Sequence, residues 1–321
     1  ADPKRLAFTD AEDTRVIRAA RIVADEGIAT PVLLGDEREI FEAATEAGIP
    51  LDNIEVLDPA RSAQREAYAT TYWKRRQRKG VSRGEARRRM ADPTFYGVMM
   101  VAQGAADALV AGQTQYYPDA IRPALEVVGA LPGGAVAGIY LMIVGVNTFF
   151  FADCTVNIDP DAERLAEIAE AVAGFVRNFG IDPKVALLSF SHFGSVKHPA
   201  QAKVAEAVRL LHQRAPALPV DGEMQADTAV VESILQQTYA FSRLQGPANV
   251  LIFPDLNSAN ISYKLLARLG GAQAIGPILV GLAAPIHVLQ RGADVDEIVN
   301  MAVIAVVDAQ ERSRQTAPAA Q

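Results

Sequence analysis

Arg291 stands at a corner of the sequence where a charge for binding or catalysis would be well placed. It lies in PIHVLQRGADVDEIV, residues 285–299, between an apolar segment and the acidic start of a predicted helix. A guanidinium beside a glycine can hold a phosphate or carboxylate through two parallel hydrogen bonds. Asp294 and Glu297 have the D-x-x-E spacing that caps a helix start, so capping is the alternative to chemistry for both acids. The stretch predicts either an anion-binding arginine or a surface ion pair.

A basic run lies on an otherwise acidic chain. Residues 74–89, KRRQRKGVSRGEARRR, hold nine Lys or Arg against one Glu, although the formal net charge of the chain is −7. Such a run attracts nucleic acid, a membrane surface or a phosphorylated small molecule, and a solvated helix face is the equal alternative. The negative total charge and the lack of a recognised module argue against nucleic acid.

Small polar residues lie between a predicted strand and a helix in FPDLNSANISYKLL, from Phe253. Ligands of open α/β sheets bind at the carboxyl ends of strands, so Ser258 and Asn260 are candidate contacts. Capping of the helix by Asn257 or Ser258 is the alternative. A Ser/Gly-rich loop in VALLSFSHFGSVKHP, from Val185, is a weaker phosphate candidate that matches no phosphate-loop motif.

Three acids, Asp221, Glu223 and Asp227, lie close together in VDGEMQAD. Three carboxylates invite a divalent cation, but their spacing matches no calcium loop. A turn followed by a helix cap accounts for Asp221 and Asp227. We therefore predict no metal site in this chain.

Composition and periodicity predict the fold class. The 321 residues are 50% hydrophobic but only 7% aromatic, which favours helices packed on a buried sheet. Short apolar runs alternate with helical periodicity, the pattern of parallel-sheet units. We expect an α/β protein long enough for two domains.

Cysteine usage and hydropathy predict the compartment. The single cysteine, Cys154, excludes a disulfide within the chain and favours a reducing cytoplasm. The most apolar run, Ala135 to Val146, is shorter than the ~20 residues of a membrane helix, so we expect a soluble protein.

The start ADPKRLAF lacks an initiator Met, which suggests trimming or a longer polypeptide. The tail from Gln310 to Gln321 lacks apolar periodicity and is expected to fray.

Several blocks together resemble the phosphate acetyltransferase (phosphotransacetylase) family over nearly the whole chain. They are RKGVSRGEA, AGQTQYYPDAIRPALEVV, FADCTVNIDPDAERLAEIA, VALLSFSHFGS, VDGEMQADTAVV, NVLIFPDLNSANISYKLLARLGGAQAIGPI and the stretch around Arg291. Three segments are closer still to the C-terminal half of large bacterial NADP-dependent malic enzymes: YWKRRQRKG, DGEMQAD and VLQRGADVDEIVNMAVIAVVDAQ.

The resemblance implies two α/β domains with a cleft between them, in the architecture of isocitrate and isopropylmalate dehydrogenases. It places the first domain at 1–134 and 288–321, and the second at 135–287. Family members transfer acetyl between phosphate and CoA, and they dimerise. Acetyl-CoA or CoA is therefore the expected ligand and a homodimer the expected assembly, without nucleic acid or membrane.

The resemblance also assigns roles to residues. Glu297 takes the position of the catalytic base, where the family has Asp, and Gln290 takes the position of an assisting serine, so both catalytic positions are degenerate. The ligand-binding positions are Arg291, Arg122, Arg76, Tyr116, Tyr117, Ser258 and Asn260. The two tyrosines are expected to fill the small-substrate site, and a base displaced by about 1 Å can cost ~100-fold in rate.

These departures lead to the function predicted from the sequence. We expect a regulatory and oligomerising domain of an NADP-dependent malic enzyme that binds acetyl-CoA as an allosteric effector, with acetyl transfer weak or lost. NADP and a divalent cation would belong only to the malic enzyme half, which decarboxylates malate oxidatively. The alternative is an active phosphate acetyltransferase.

Overall fold

The computed structural model describes residues 2–316, and the chain divides into two units. One unit is Ala1–Gly129 with Leu282–Gln321, and the other is Ala130–Gly281. The boundaries predicted from the sequence, 134/135 and 287/288, both lie later in the chain than the boundaries between the two units of the structure. The second crossing lies earlier because the strand Ile286–Val288 pairs within the first unit.

The first unit is built on a parallel sheet. Its described strands are β1 (Lys4–Phe8), β2 (Ala29–Leu34), β3 (Glu55–Leu57), β4 (Ala108–Ala111) and β11 (Ile286–Val288), in the order β11-β4-β1-β2-β3. β4 and β11 are buried along their whole length, as expected for a parallel sheet covered on both faces. The helices are α1 (Thr14–Asp25), α2 (Glu37–Glu46), α3 (Arg65–Arg76), α4 (Arg83–Arg89), α5 (Pro93–Ala102), α6 (Tyr117–Val127) and α12 (Val295–Thr316).

The second unit is built on a mixed sheet. Its strands are β5 (Ala137–Val144), β6 (Asn147–Ala152), β7 (Val185–Leu188), β8 (Val220–Met224), β9 (Val250–Ile252) and β10 (Gln273–Val280), in the order β10-β5-β6-β9-β7-β8. β5 runs antiparallel to β10 and β6, and the other pairs are parallel. The helices are α7 (Ala162–Asn178), α8 (Pro199–Arg214), α9 (Ala226–Val230), α10 (Glu232–Thr238) and α11 (Leu256–Leu269). The predicted α/β class is confirmed.

Helix α12 returns the end of the chain to the first unit. It packs on α1, β1 and β4 through buried side chains that include Ile298, Met301 and Ala305. The helix continues to Thr316, so the part of the tail that the structure describes is helical instead of frayed. Residues 317–321 of that tail lie outside the described residues.

A buried acid fixes α12 to the strand before the Arg291 corner. Asp308 is 3% exposed and its Oδ1 accepts a hydrogen bond of 2.9 Å from Arg312 Nε, while His287 Nε2 on β11 lies 3.6 Å from Oδ2. Arg312 also donates to the carbonyl oxygen of Leu282 at 3.0 Å. Burial opposes ionisation of Asp308, but His287 and Arg312 outweigh it, and the pKa of this carboxyl is lowered.

We predict that Asp308→Asn lowers the free energy of unfolding at neutral pH by roughly 1–3 kcal/mol, because Arg312 loses a charge-assisted hydrogen bond and the buried His287 loses the neighbouring carboxylate. In the unfolded chain the pKa of this carboxyl is about 3.9, which is above its pKa in the native protein. Stabilisation is therefore complete above that pH and is lost as the pH falls through the native pKa. Urea unfolding at pH 7 and at decreasing pH below 5 measures it. Glu311→Gln, which removes only a pair with Arg314, is the control. A difference that stays constant into acid would contradict the assignment.

Candidate functional site

Two loops lie side by side at the carboxyl edge of the first sheet. β4 and β11 pair in parallel, with Val288 opposite Ala111, so the loops that follow them leave from the same edge. We call residues 112–116 the β4 loop and residues 289–294 the corner. Leu289 N donates to Ala111 O at 2.7 Å and closes the corner onto the end of β4.

Gly112 is required where the two segments approach each other. Its φ is +96°, which favours glycine, and a Cβ there would lie 2.7 Å from Val288 Cγ1 and 3.1 Å from Leu289 O. A side chain at this position would therefore push the β4 loop away from the corner. Gly112 is therefore required by close packing and is not a flexible joint.

Arg291 projects from the corner with its charge uncompensated. Its side chain is exposed, and Cζ lies 5.1 Å from the ring centroid of Tyr116 in the β4 loop. Within residues 2–316 it forms no salt bridge. The surface ion pair left open by the sequence is therefore not what the structure shows, and the guanidinium remains available to an anion.

Glu297 and Asp294 cap α12 reciprocally. Asp294 N donates to Glu297 Oε2 at 2.9 Å, and Glu297 N donates to Asp294 Oδ1 at 2.9 Å. The structural alternative for these acids is thus realised. Both residues are exposed, as is Gln290 at the start of the corner. The cap places an accessible carboxylate on the first turn of α12, close in sequence to Arg291.

Arg76, at the end of α3, shares an internal acid with other groups. Its Nη2 lies 3.8 Å from Glu126 Oε1, and Glu126 Oε2 accepts from Tyr72 at 2.5 Å and from Arg89. Burial opposes ionisation of Glu126, but Tyr72, Arg89 and Arg76 lower its pKa. Burial, reinforced by Glu126, raises the pKa of Tyr72 to about 12. An anion that binds Arg76 competes with Glu126.

Arg122, Tyr116 and Tyr117 gather around the start of α6. Arg122 is exposed and pairs with Asp119 one turn earlier at 2.9 Å. Tyr117 is the first residue of α6, and Tyr116 precedes it with 68% of its surface exposed. The structure brings Arg291 together with Tyr116, and Glu126 links Arg76 to α6.

Much of the basic run is neutralised within the protein. Arg75 donates to Val127 O at 2.8 Å, Arg87 to Glu66 at 3.0 Å, and Arg83 lies 4.3 Å above the Trp73 ring. The run ends α3, forms a 3₁₀ turn at Gln77–Lys79 and continues into α4. These pairs explain how so many cations are tolerated in one place.

Ser258 and Asn260 lie in the second unit and already have partners in the chain. Asp255, and not Asn257 or Ser258, caps α11, with its Oδ1 accepting from Ser258 N at 2.8 Å. Ser258 Oγ donates to Asp255 O at 2.8 Å, and Asn260 Nδ2 donates to Cys154 O at 3.5 Å. Ligand contacts by these two residues stay predictions.

The acids of VDGEMQAD stabilise loops. Asp221 Oδ2 accepts from Ser242 Oγ at 2.8 Å and from Arg243 N at 2.7 Å, while Glu223 Oε1 accepts from Gly194 N at 2.6 Å. Glu223 thus occupies an amide of the Ser/Gly-rich loop that the sequence offered to phosphate. In the described part of the chain no cluster of three or more His, Cys, Asp or Glu residues is arranged to hold a metal ion.

Two functional candidates escaped the sequence analysis. Gln113 is 1% exposed and bonds the corner, and Asp10 is 7% exposed and bonds the β4 loop. Their partners lie far away in the sequence, so spacing gives no signal for either.

Of the helices described, none is long and apolar enough to span a bilayer.

We predict that Glu297→Ala lowers the free energy of unfolding by about 1 kcal/mol, because Asp294 N loses its acceptor. Glu297→Gln keeps an acceptor oxygen and should cost less than about 0.5 kcal/mol. Urea unfolding of both variants measures the difference. Equal losses for Gln and Ala would show that the charge, and not the hydrogen bond, stabilises this helix start.

Comparison with known proteins gives a consistent family. The model of the phosphate acetyl/butaryl transferase family matches residues 1–306. A phosphate acetyltransferase of Acetivibrio thermocellus is 40% identical over 97% of this chain and 95% of its own. That of Bacillus subtilis is 37% identical over 95% and 94%.

Solved structures agree. A phosphotransacetylase from Streptococcus pyogenes is 36% identical with a TM-score of 0.92, covering 97% of this chain and 95% of its own. The EutD phosphotransacetylase from Staphylococcus aureus is 36% identical with a TM-score of 0.89, over 96% and 94%. The predicted phosphotransacetylase-like fold is confirmed.

The same comparisons overturn the function predicted first. Relatives that align over nearly their whole length are phosphate acetyltransferases, so the prediction of a malic enzyme domain is wrong. With it fall the oxidoreductase parent, the allosteric role of acetyl-CoA and the predicted loss of acetyl transfer. Three short segments and the departures at Gln290 and Glu297 do not outweigh an alignment that runs along nearly the whole chain.

Proposed function

Because this chain belongs to the phosphate acetyl/butaryl transferase family, we propose that it is an active phosphate acetyltransferase. It interconverts acetyl-CoA and phosphate with acetyl phosphate and CoA. The observation that carries the proposal is the uncompensated Arg291, which is followed in the chain by an exposed carboxylate, Glu297, on the first turn of α12. The relatives named for acetyl transfer at 37–40% identity favour acetyl as the acyl group. Acetyl-CoA or CoA as substrate is consistent with this family.

The proposed chemistry is acyl transfer with one proton. An oxygen of monohydrogen phosphate attacks the thioester carbonyl carbon and the C–S bond breaks. The phosphate proton passes by way of Glu297 to the departing CoA sulfur, which leaves acetyl phosphate and the CoA thiol. In the reverse direction the Glu297 carboxylate removes the thiol proton, and the thiolate attacks acetyl phosphate and displaces phosphate. Arg291, with Arg122 and Arg76, neutralises the phosphoryl charge.

The departures from the family pattern are compatible with this chemistry. Gln290 has an amide N–H that can donate to the oxyanion in place of a hydroxyl. Glu297 is one methylene longer than Asp, but its exposed side chain has room to adopt another rotamer. Tyr116 carries Arg291 on its ring face, which gives the aromatic residue a use other than filling a substrate site.

We predict phosphate-dependent release of thiol from acetyl-CoA by the wild-type chain. Glu297→Gln should lower kcat at least ~100-fold, since general acid–base catalysis contributes about 10²–10⁴. Arg291→Ala should raise the KM for phosphate about ten-fold or more, because a charge-assisted hydrogen-bond pair is lost. A coupled thiol assay at varied phosphate measures both.

Arg78→Ala is the matched control, because Arg78 is an exposed arginine of the 3₁₀ turn that has no assigned role. It should leave both constants unchanged. Background thiol release by wild type and Glu297→Gln alike would refute the proposed activity.

We also propose a homodimer through α11. Ile261, Leu265 and Leu269 recur every four residues on one face of this helix and are 57%, 52% and 82% exposed. A continuous apolar stripe of this kind marks an interaction surface, and self-association about a twofold axis is the commonest use. The larger homo-oligomer predicted from the sequence belonged to a full-length malic enzyme, and it falls with that prediction.

We predict that Leu265→Asp converts the dimer to a monomer, since a charge on the stripe is costly to bury. Light scattering after size exclusion measures the mass. Phe41→Asp is the control, because Phe41 is 51% exposed on α2 and lies outside the stripe. A monomeric wild type, or a dimer unaffected by Leu265→Asp, would count against this interface.

We propose further that acetyl transfer proceeds without a cofactor or metal ion, with charge supplied by the arginines, and that nucleic acid and membranes are not partners. A cytoplasmic location remains part of the proposal. It is supported by Cys154, a free buried thiol, as expected in a reducing compartment.

A further inference from the structure

Gln113 bonds two of the peptide groups that follow Arg291, those of Arg291–Gly292 and Ala293–Asp294. Its side chain is 1% exposed, and Nε2 donates to Ala293 O at 2.7 Å. Its own backbone carbonyl accepts from Gly292 N at 3.0 Å. One buried residue of the β4 loop therefore determines the path of the corner immediately after the arginine.

The other half of the Gln113 amide is unpaired. Oε1 is buried, and no donor among residues 2–316 forms a hydrogen bond with it. Turning the amide over would place Oε1 against the Ala293 carbonyl oxygen, so the present orientation is the favourable one. A buried acceptor without a donor is destabilising, and an apolar side chain would avoid it. Stability alone therefore does not account for a glutamine here.

Gln113 is itself presented from a rigid base. The buried carboxylate of Asp10, at the end of β1, accepts from Gly112 N and from Thr114 N, both at 3.1 Å, and from Thr9 Oγ1 at 2.6 Å. Thr114 Oγ1 is bonded to the same carboxylate. The neighbours of Gln113 on both sides are thus fixed to one group.

We infer that Gln113 is a positioning residue that sets where Arg291 meets the phosphoryl group of the substrate. The inference rests on the proposed function. The β4 loop meets the corner through the two Gln113 hydrogen bonds and through the Tyr116 ring beneath the guanidinium. Displacing a substrate-holding group by about 1 Å can cost ~100-fold in rate, so partial loosening has a measurable effect.

The first test is Gln113→Met, which has similar length but no donor. The expected result is a KM for phosphate raised about ten-fold, with the KM for acetyl-CoA unchanged and a Tm within about 3 °C of wild type. Ala293 O still accepts from Arg15 at 3.3 Å, so the fold should survive. Gln115→Met is the control, because Gln115 donates to Thr94 Oγ1 at 2.9 Å and not to the corner.

A double-mutant cycle separates positioning from general destabilisation. In an Arg291→Ala background, Gln113→Met should have no further effect on the KM for phosphate, because it acts through that arginine. A ten-fold rise in both backgrounds, or equal effects of Gln113→Met and Gln115→Met, would overturn the inference. If Gln113→Met does not fold, Gln113→Leu repeats the comparison, and failure of both would show a fold-wide role and overturn it.

Hydrogen exchange tests the inference without turnover. The amides of 292–294 should exchange faster in Gln113→Met than in wild type and be unchanged in Gln115→Met. A wild type without acetyl transfer would remove the proposed function, yet this comparison would still report whether Gln113 fixes the corner. Unchanged exchange in Gln113→Met would overturn the positioning role of Gln113 even if the enzyme is active.

Discussion

The parallel pairing of β4 with β11 is the constraint on which the candidate site depends. Strands that run in the same direction end at the same edge, so the segments after Ala111 and Val288 must lie side by side. The contact is close enough that Gly112 cannot carry a Cβ. The Tyr116 ring beside Arg291 and the Gln113 hydrogen bonds to the corner both depend on this approach of two segments that are remote in sequence.

Buried acids also fix loops elsewhere in the molecule. Asp10 gathers the amides of the β4 loop, Asp153 accepts from Gly138 N at 3.0 Å and Thr155 N at 2.9 Å, and Glu223 accepts from Gly194 N at 2.6 Å. Hydrogen bonds to an ionised acceptor are stronger than neutral ones, which makes such groups effective at fixing loops without secondary structure. The cost is that these carboxylates are occupied, and acids that look available in the sequence are not available to ligands.

The sequence predicts local structure correctly, but it carries no signal for contacts between residues that lie far apart in the chain. The D-x-x-E spacing predicted the capping pair of Asp294 and Glu297, because a helix start is a local structure. Alternating apolar runs and helices predicted the α/β class. Gln113 bonds Ala293 and Arg76 lies near Glu126 only through tertiary packing, so neither contact has a sequence signature. The family was recognised from the order of many blocks, whereas the malic enzyme prediction rested on few and was wrong.

The ring of Tyr116 under Arg291 bears on how quickly an anion could leave. An exposed cation–π contact is worth about 0.5–1 kcal/mol, while an arginine side chain carries about 2 kcal/mol of rotamer entropy. The ring therefore narrows the motion of the guanidinium but does not immobilise it. Part of the ordering cost is met before an anion arrives, and the remaining freedom leaves the arginine able to follow the anion and release it. Such a balance suits the role proposed for Arg291, which is to bind and release a phosphoryl group in every catalytic cycle.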